Sequence, residues 1–323
     1  MMKLLSQLNK SDLAGKKVLL RVDFNVAVEG DKIVEPFKII ASLPTIRHLV
    51  NNGAIVTLAS HIESVKSFDS IRDQIMKILG VKVDLLENTR ANPGEKTDDE
   101  NFAKQLADGF DLYINDAFAA AHRAHASVHA ITKLLPSYAG FIIESETEAL
   151  SDSIVAPREG KVVVLGGAKI STKMPMITNF LDKAEAILLG GKLINEHEEL
   201  AKLTDPKIIL PLDTNPAEGN ALDIGPKAIA HYCEIIRTAK FVIWNGPMGK
   251  YEDALYADGT KALAEAIASA PRSVIGGGDT IAAVNALLQG AKFSYVSTGG
   301  GAMLEFLAGK KLPALEALGY YAL

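Results

Sequence analysis

The chain has 323 residues, 48% of them apolar and 23% charged, and a formal net charge of −5. That is an ordinary globular composition, and it is more chain than one core holds, since single cores stop growing at roughly 250–300 residues. Mild acidity with no block of Lys or Arg argues against a nucleic-acid partner, and the longest apolar runs, such as KVVVLGG, fall far short of the roughly 18 residues that cross a bilayer. The opening MMKLLSQLNKSDLAGKK has no apolar core of a secretory signal. The one cysteine, Cys233, excludes a disulfide within the chain and lies in the helical pattern IAHYCEIIRTA, where a small buried hydrophobe is expected. The expected setting is the cytoplasm.

In chain order, short β-branched apolar runs alternate with helical patterns. Val18–Val22 reads as the first strand, followed by helix Ser42–Asn51, strand Ala54–Leu58, helix Asp69–Leu79, strand Val83–Leu86, helix Glu100–Asp108 and strand Leu112–Asn115. The stretch FIIESETEALSDSIVAPREG is polar, helix-prone and closed by Pro and Gly, so residues 141–157 are expected to join two lobes. Beyond it come strand Val162–Leu165, helix Thr172–Asp182, strands Ala186–Leu189 and Ile208–Leu210, helix Pro226–Thr238 and strand Phe241–Trp244. Helix Thr260–Ser269, strand Ser273–Ile275, helix Thr280–Leu288 and strand Tyr295–Ser297 complete the series. Alternation of this kind predicts an α/β protein with parallel sheets covered by helices on both faces. Ten strands suit two sheets better than one. The fold class is therefore two doubly wound, Rossmann-like lobes joined by a hinge helix.

Glycines collect where the strands of the second half end: Gly166-Gly167, Gly190-Gly191, Gly246, Gly276-Gly277-Gly278 and Gly299-Gly300-Gly301. In an open parallel sheet ligands bind beyond the carboxyl ends of the strands, and helix N-termini there offer free N–H groups to phosphate. Steric need explains any one such loop; five in one half, two of them triplets, point to phosphate. Neither GxxxxGK[ST] nor GxGxxG occurs, so no P-loop and no standard dinucleotide fold is indicated. Lys169 and Lys173 in GGAKISTK have i, i+4 spacing that would put both on one helix face. Asp279 follows Gly278 at a helix start, as an N-cap or as a carboxylate near Mg²⁺ bound to phosphates.

The first half carries a different set at its strand ends: Asp23 and Asn25 in RVDFN, His61 in ASH, Arg90 in LLENTR, and His122, Arg123 and His125 in AHRAH. Arg90 and Arg123 are suited to clamp carboxylate or phosphate.

RVDFNV, LPTI, LASH, LLENTR, NDAF, AHRAHAS, LGGAKIS, LDIGP, WNGPMGKYE, GGGDT and STGGGAMLEFLAGKKLPALEAL span nearly the whole chain, and together they resemble phosphoglycerate kinases. The resemblance implies an N-terminal phosphoglycerate-binding lobe (1–140), an inter-lobe helix and hinge (141–157), a C-terminal nucleotide-binding lobe (158–308) and a C-terminal peptide (309–323) returning to the first lobe. It implies reversible transfer of the acyl phosphate of 1,3-bisphosphoglycerate to MgADP, giving 3-phosphoglycerate and MgATP, by a monomer. Carried over by position, Asp23, Asn25, Lys38, His61, Arg90 and Arg123 would bind the phosphoglycerate. Gly167, Lys169, Lys173, Asn245, Pro247, Glu252, Gly277, Gly278, Asp279 and Thr280 would bind the nucleotide, with Asp279 serving Mg²⁺. Lys38, Lys173, Gly277 and Gly300 would act on the phosphoryl group in flight.

The chain is shorter than the family norm, and it departs from it locally. Where the family has Gly-Arg-Pro after His61, the text is Ile62-Glu63-Ser64-Val65, and a basic residue is missing; Lys66 is close by but displaced. Lys38 stands where the family has Arg, and it keeps the charge but not the planar fork of donors. The excursion that helps cover the nucleotide base is cut to TNPAEGNA. These departures raise an alternative, a degenerate relative that binds ligand without efficient turnover. Against it stand Lys169, Lys173, Asp279 and STGGG.

Overall fold

The computed structural model describes residues 1–322. The chain divides into two compact units, one of residues 1–147 with the segment from Lys311 onward, the other Glu148–Lys310. The division falls within one helix, Phe141–Val155.

The first unit is built on five strands: β1 (Lys17–Arg21), β2 (Ile55–Ala59), β3 (Asp84–Leu85), β4 (Leu112–Asn115) and β5 (Ser137–Ala139), in the order β3-β2-β1-β4-β5, all parallel. Its helices include α1 (Phe37–Ala41), α2 (Leu43–Asn51), α3 (Arg72–Leu79) and α4 (Glu100–Ala107). Val18, Leu20, Ile46, Leu49, Leu58 and Ile75 are among the buried side chains that fill the core on one side of this sheet. Within the same unit, helix Pro313–Ala317 hydrogen-bonds back through Ala314 N to Ala121 O at 3.1 Å.

The second unit has six parallel strands, β6 (Lys161–Leu165), β7 (Ala186–Leu189), β8 (Ile208–Ile209), β9 (Phe241–Asn245), β10 (Ser273–Gly276) and β11 (Tyr295–Ser297), in the order β8-β7-β6-β9-β10-β11. Every residue of β6, β7, β9 and β10 is buried, as parallel strands covered on both faces require. In both units the strand order reverses beside the first strand. The crevices at the carboxyl ends of β1/β4 and β6/β9 are therefore where a doubly wound sheet takes its ligand.

Three expectations are corrected. Thr172–Asp182 is not one helix: Ile170–Thr172 is a 3-10 turn, and the α-helix is Met174–Phe180 (α5), started by Pro175 in its first turn. Lys169 and Lys173 thus flank a turn and do not share a helix face; Lys169 is exposed and Lys173 buried. Asp279 is not an N-cap: Gly277 caps helix α6 (Gly278–Leu287), and Asp279 lies in its first turn. The short antiparallel ribbons Val28–Glu29/Lys32–Ile33 and Thr214–Asn215/Asp223–Ile224, and edge strand β5, were not expected; two or three residues are too few to show a period.

Candidate active site

In the first unit the loops after β1, β2 and β3 carry the expected anion-binding residues. Asp23 and Asn25 follow β1. Lys38, on α1, places its Nζ 2.8 Å from Asp23 Oδ2 and donates to Asn25 O at 3.3 Å. Burial would raise the Asp23 carboxyl, but the Lys38 charge and the surrounding hydrogen bonds outweigh it and hold the group below its usual range. His61 follows β2. Its Nδ1 lies 2.9 Å from Arg21 Nη2. A guanidinium can only donate, so Nδ1 accepts and the ring proton sits on Nε2. Burial, then the Arg21 charge, pushes His61 down to about 3, so the imidazole is neutral at pH 7. Arg21 is itself fully buried. It donates through Nε to Ser127 Oγ (2.8 Å), which in turn donates to Glu95 Oε1 (2.6 Å).

Arg90 follows β3, with 9% of its side chain exposed, and Arg123 lies in the loop beyond β4. One carboxylate oxygen joins them: Glu63 Oε1 is 3.3 Å from Arg90 Nη2 and 3.9 Å from Arg123 Nη1. The Glu63 N–H also donates to Asn25 Oδ1 at 3.0 Å. Ser64, the next residue, turns its hydroxyl onto Val26 O (2.8 Å) and adds no charge. His125 lies 3.5 Å from Arg90, and burial followed by that guanidinium lowers it to about 4. The roles of Arg21 and Glu63 are not legible in RVDFN and HIES, because their partners are remote along the chain.

In the second unit two glycine loops cross in the β6/β9 crevice. Gly166 N donates to Asn245 O (3.0 Å) and Gly167 N to Pro247 O (3.1 Å). A Cβ on Gly166 would meet the Pro247 carbonyl, and one on Gly246 would meet the Gly166 carbonyl, so the sites need glycine for close approach. Asn245 ties the edge together: Nδ2 donates to Gly276 O (2.8 Å), and Oδ1 accepts from Lys173 Nζ. Thr280 Oγ1 accepts from Gly246 N at 2.7 Å. Gly277 caps α6 at φ 103° without a side-chain cap, leaving that helix's first N–H groups for a ligand.

These groups frame a cavity of about 250 Å³ lined by Gly167, Lys169, Lys173, Gly277, Gly278 and Asp279, with Asn245 and Thr280 at its wall. Burial lowers Lys173 to about 8, opposed by the Asp279 charge. A second cavity of about 790 Å³ shares Gly167, Ala168, Lys169 and Asp279 with it, and adds Ala221, Leu222, Pro247, Tyr251 and Glu252. A polar, cationic end that leads into a roomier and more apolar one suits a nucleoside di- or triphosphate. Tyr251, Leu222 and Lys192 line this second cavity without having been expected there, although Lys192 directly follows Gly190-Gly191. Gly300, at φ 48°, lines neither cavity.

The family model for phosphoglycerate kinase matches residues 8–83, 65–204 and 196–310. A phosphoglycerate kinase of Trichodesmium erythraeum is 39% identical over 392 aligned positions, covering 98% of this chain and 98% of that protein. One of Roseiflexus castenholzii is 37% identical over 383 positions, covering 95% and 97%. Both alignments are longer than the 323-residue chain, so the relatives' extra residues fall at internal positions. Among solved structures, phosphoglycerate kinase from Coxiella burnetii superposes with TM-score 0.84 at 31% identity, covering all of both chains. That from Pyrococcus horikoshii superposes with TM-score 0.88 at 29% identity, covering 98% of each.

Proposed function

The chain belongs to the phosphoglycerate kinase family, and we propose that its two strand-end sites carry out that family's reaction in a reduced frame. It is a phosphotransferase that moves a phosphoryl group reversibly between the acyl phosphate of 1,3-bisphosphoglycerate and ADP. The observation that supports our assignment of residues is the cationic cavity at the β6/β9 crevice, where buried Lys173 and the open N-terminus of α6 meet.

In the direction of acyl phosphate formation, a carboxylate oxygen of 3-phosphoglycerate attacks the terminal phosphorus of ATP. One P–O bond forms, and the bond to the ADP oxygen breaks. The nucleophile is already ionised and the leaving group departs as a phosphate anion, so no side chain has to move a proton. Neutral His61 therefore serves as an Nε2–H donor and not as a base. The protein supplies position and positive charge. Lys173 and the N–H groups of α6 receive the transferring oxygens, with Lys169 on the exposed side. Gly167, Asn245 and Thr280 shape the crevice, while Pro247 and Glu252 line the part that takes the nucleoside. Asp23 fixes Lys38, and Asn25, His61, Arg90 and Arg123 orient the phosphoglycerate.

Mg²⁺ fits the site as a partner of the nucleotide. Asp279 is the one carboxylate lining the smaller cavity. Among the described residues no group of three or more His, Cys, Asp or Glu could hold a metal. One carboxylate plus phosphate oxygens is a donor set that Mg²⁺ accepts, and the ion would offset charge on the phosphates. A cytoplasmic monomer without a nucleic-acid or membrane partner completes the reading, which rests on family membership.

The test is ATP consumption by purified protein with 3-phosphoglycerate present or omitted. A rate that needs both substrates is expected. A rate no higher than that of a Lys173→Ala control would overturn the assignment. No observation favours the non-catalytic alternative.

Lys38→Arg gives a second test. The Lys38 ammonium uses two of its three donors on Asp23 and Asn25. A guanidinium could keep Asp23 and present another N–H edge to the substrate. One added charge-assisted hydrogen bond should raise kcat about tenfold, with KM for ATP unchanged. An unchanged kcat would mean that Lys38 already does what arginine would do.

A further inference from the structure

A third cavity, of about 520 Å³, opens beside Arg90 in the first unit, and Glu63, Lys66, Asn88 and Lys96 line it. Three cations thus face one carboxylate. Arg90 Nε is buried and has no hydrogen-bond partner among the described residues, in a side chain that is only 9% exposed. The ammonium groups of Lys66 and Lys96 are paired with no carboxylate among the described residues, while Glu63 Oε1 is shared between Arg90 and Arg123.

The backbone under both lysines is fixed. Asn88 Nδ2 donates to Lys66 O (3.0 Å) and to Ile62 O (2.9 Å), while its Oδ1 accepts from Ile62 N (3.1 Å), pinning the loop of Lys66 to the end of β3. Lys96 follows Glu95, which is fully buried and accepts from Ser127. A net positive pocket lined by Arg90, Lys66 and Lys96 suits a phosphomonoester dianion.

We propose that Lys66 and Lys96, with Arg90, hold the phosphate end of the phosphoglycerate, supplying from displaced positions the charge that Ser64 does not. This rests on the functional reading above and extends it to two residues outside the motifs.

The test is calorimetric titration of 3-phosphoglycerate into the native protein and into a Lys66→Met/Lys96→Met double variant. Both lysines are exposed, so the melting temperature should stay at the native value. The Kd for 3-phosphoglycerate should rise about tenfold to a hundredfold, and that for ADP should not change. A Kd within twofold of native would overturn the proposal. Inorganic phosphate titrated into both proteins separates this outcome from failure of the functional reading. Phosphate binding that the double variant loses supports the pocket even if phosphoglycerate does not bind, and equal phosphate binding by the two proteins counts against it.

Discussion

Lys173→Ala is expected to lower kcat about a thousandfold while the protein stays folded. A preorganised donor aimed at charge that develops in the transition state is worth roughly 10²–10³ in rate. A charge that meets a phosphoryl group in flight is worth about 10³–10⁵. In the proposed mechanism Lys173 would be both, and it is buried, anchored on Asn245 and lines the cavity that holds Asp279. Burial lowers it to about 8, so the useful charged form is lost as pH rises through that value. In the free enzyme kcat/KM should therefore fall on a basic limb near pH 8. Lys173→Arg, charged at far higher pH, should lack that limb even if it is slower.

The effect on stability runs the other way. An unfolded lysine holds its proton to about 10.4, so the fold gains stability as pH rises from about 8 toward 10. Removing the ammonium at neutral pH should leave the melting temperature at or above native. Rates measured from pH 6 to 10, with a thermal melt of each variant, check both halves. A kcat within tenfold of native would remove Lys173 from the mechanism.

Gly246→Ala should cost the second unit about 3–5 kcal/mol and abolish ADP binding. The residue sits at φ 96°, where an L side chain is strained by roughly 1–2 kcal/mol. Its Cβ would overlap the Gly166 carbonyl and lie 2.9 Å from the Gly167 nitrogen. Those are backbone atoms held to Asn245 and Pro247 by hydrogen bonds, so relief requires the two strand ends to part. Gly290 is the internal control: φ is 82°, but nothing lies within 4 Å of an added Cβ. Gly290→Ala should carry the conformational cost alone. At roughly 2–4 °C per kcal/mol for a unit of this size, Gly246→Ala should melt about 10 °C below native. Equal melting points for the two variants would show that the crossing of loops does not constrain the site.

Much of this was legible along the chain because parallel strands are buried on both faces. VVVL, AILL and FVIW are continuous apolar runs, and each lies in a strand within a residue of its expected bounds. The glycine loops were legible for a related reason, since close approach of backbone to backbone leaves only glycine. Helix α5 is shorter than its pattern predicts because Pro175 starts the helix in its first turn. The two ribbons were missed because two-residue strands carry no period.

At the site, residues that follow strands in order could be named, whereas relations across the sheet could not. The tautomer of His61 depends on Arg21, which in turn depends on Ser127 and Glu95. Glu63 looked like the loss of a basic loop. The fold shows it bridging Arg90, Arg123 and Asn25.

The most direct test of the central claim identifies the product. Purified protein is incubated with MgATP, 3-phosphoglycerate and hydroxylamine, which converts an acyl phosphate to a hydroxamate. We expect one hydroxamate for each ADP formed, and neither without phosphoglycerate. ADP without hydroxamate would mean transfer to water, and that would contradict phosphoglycerate kinase activity.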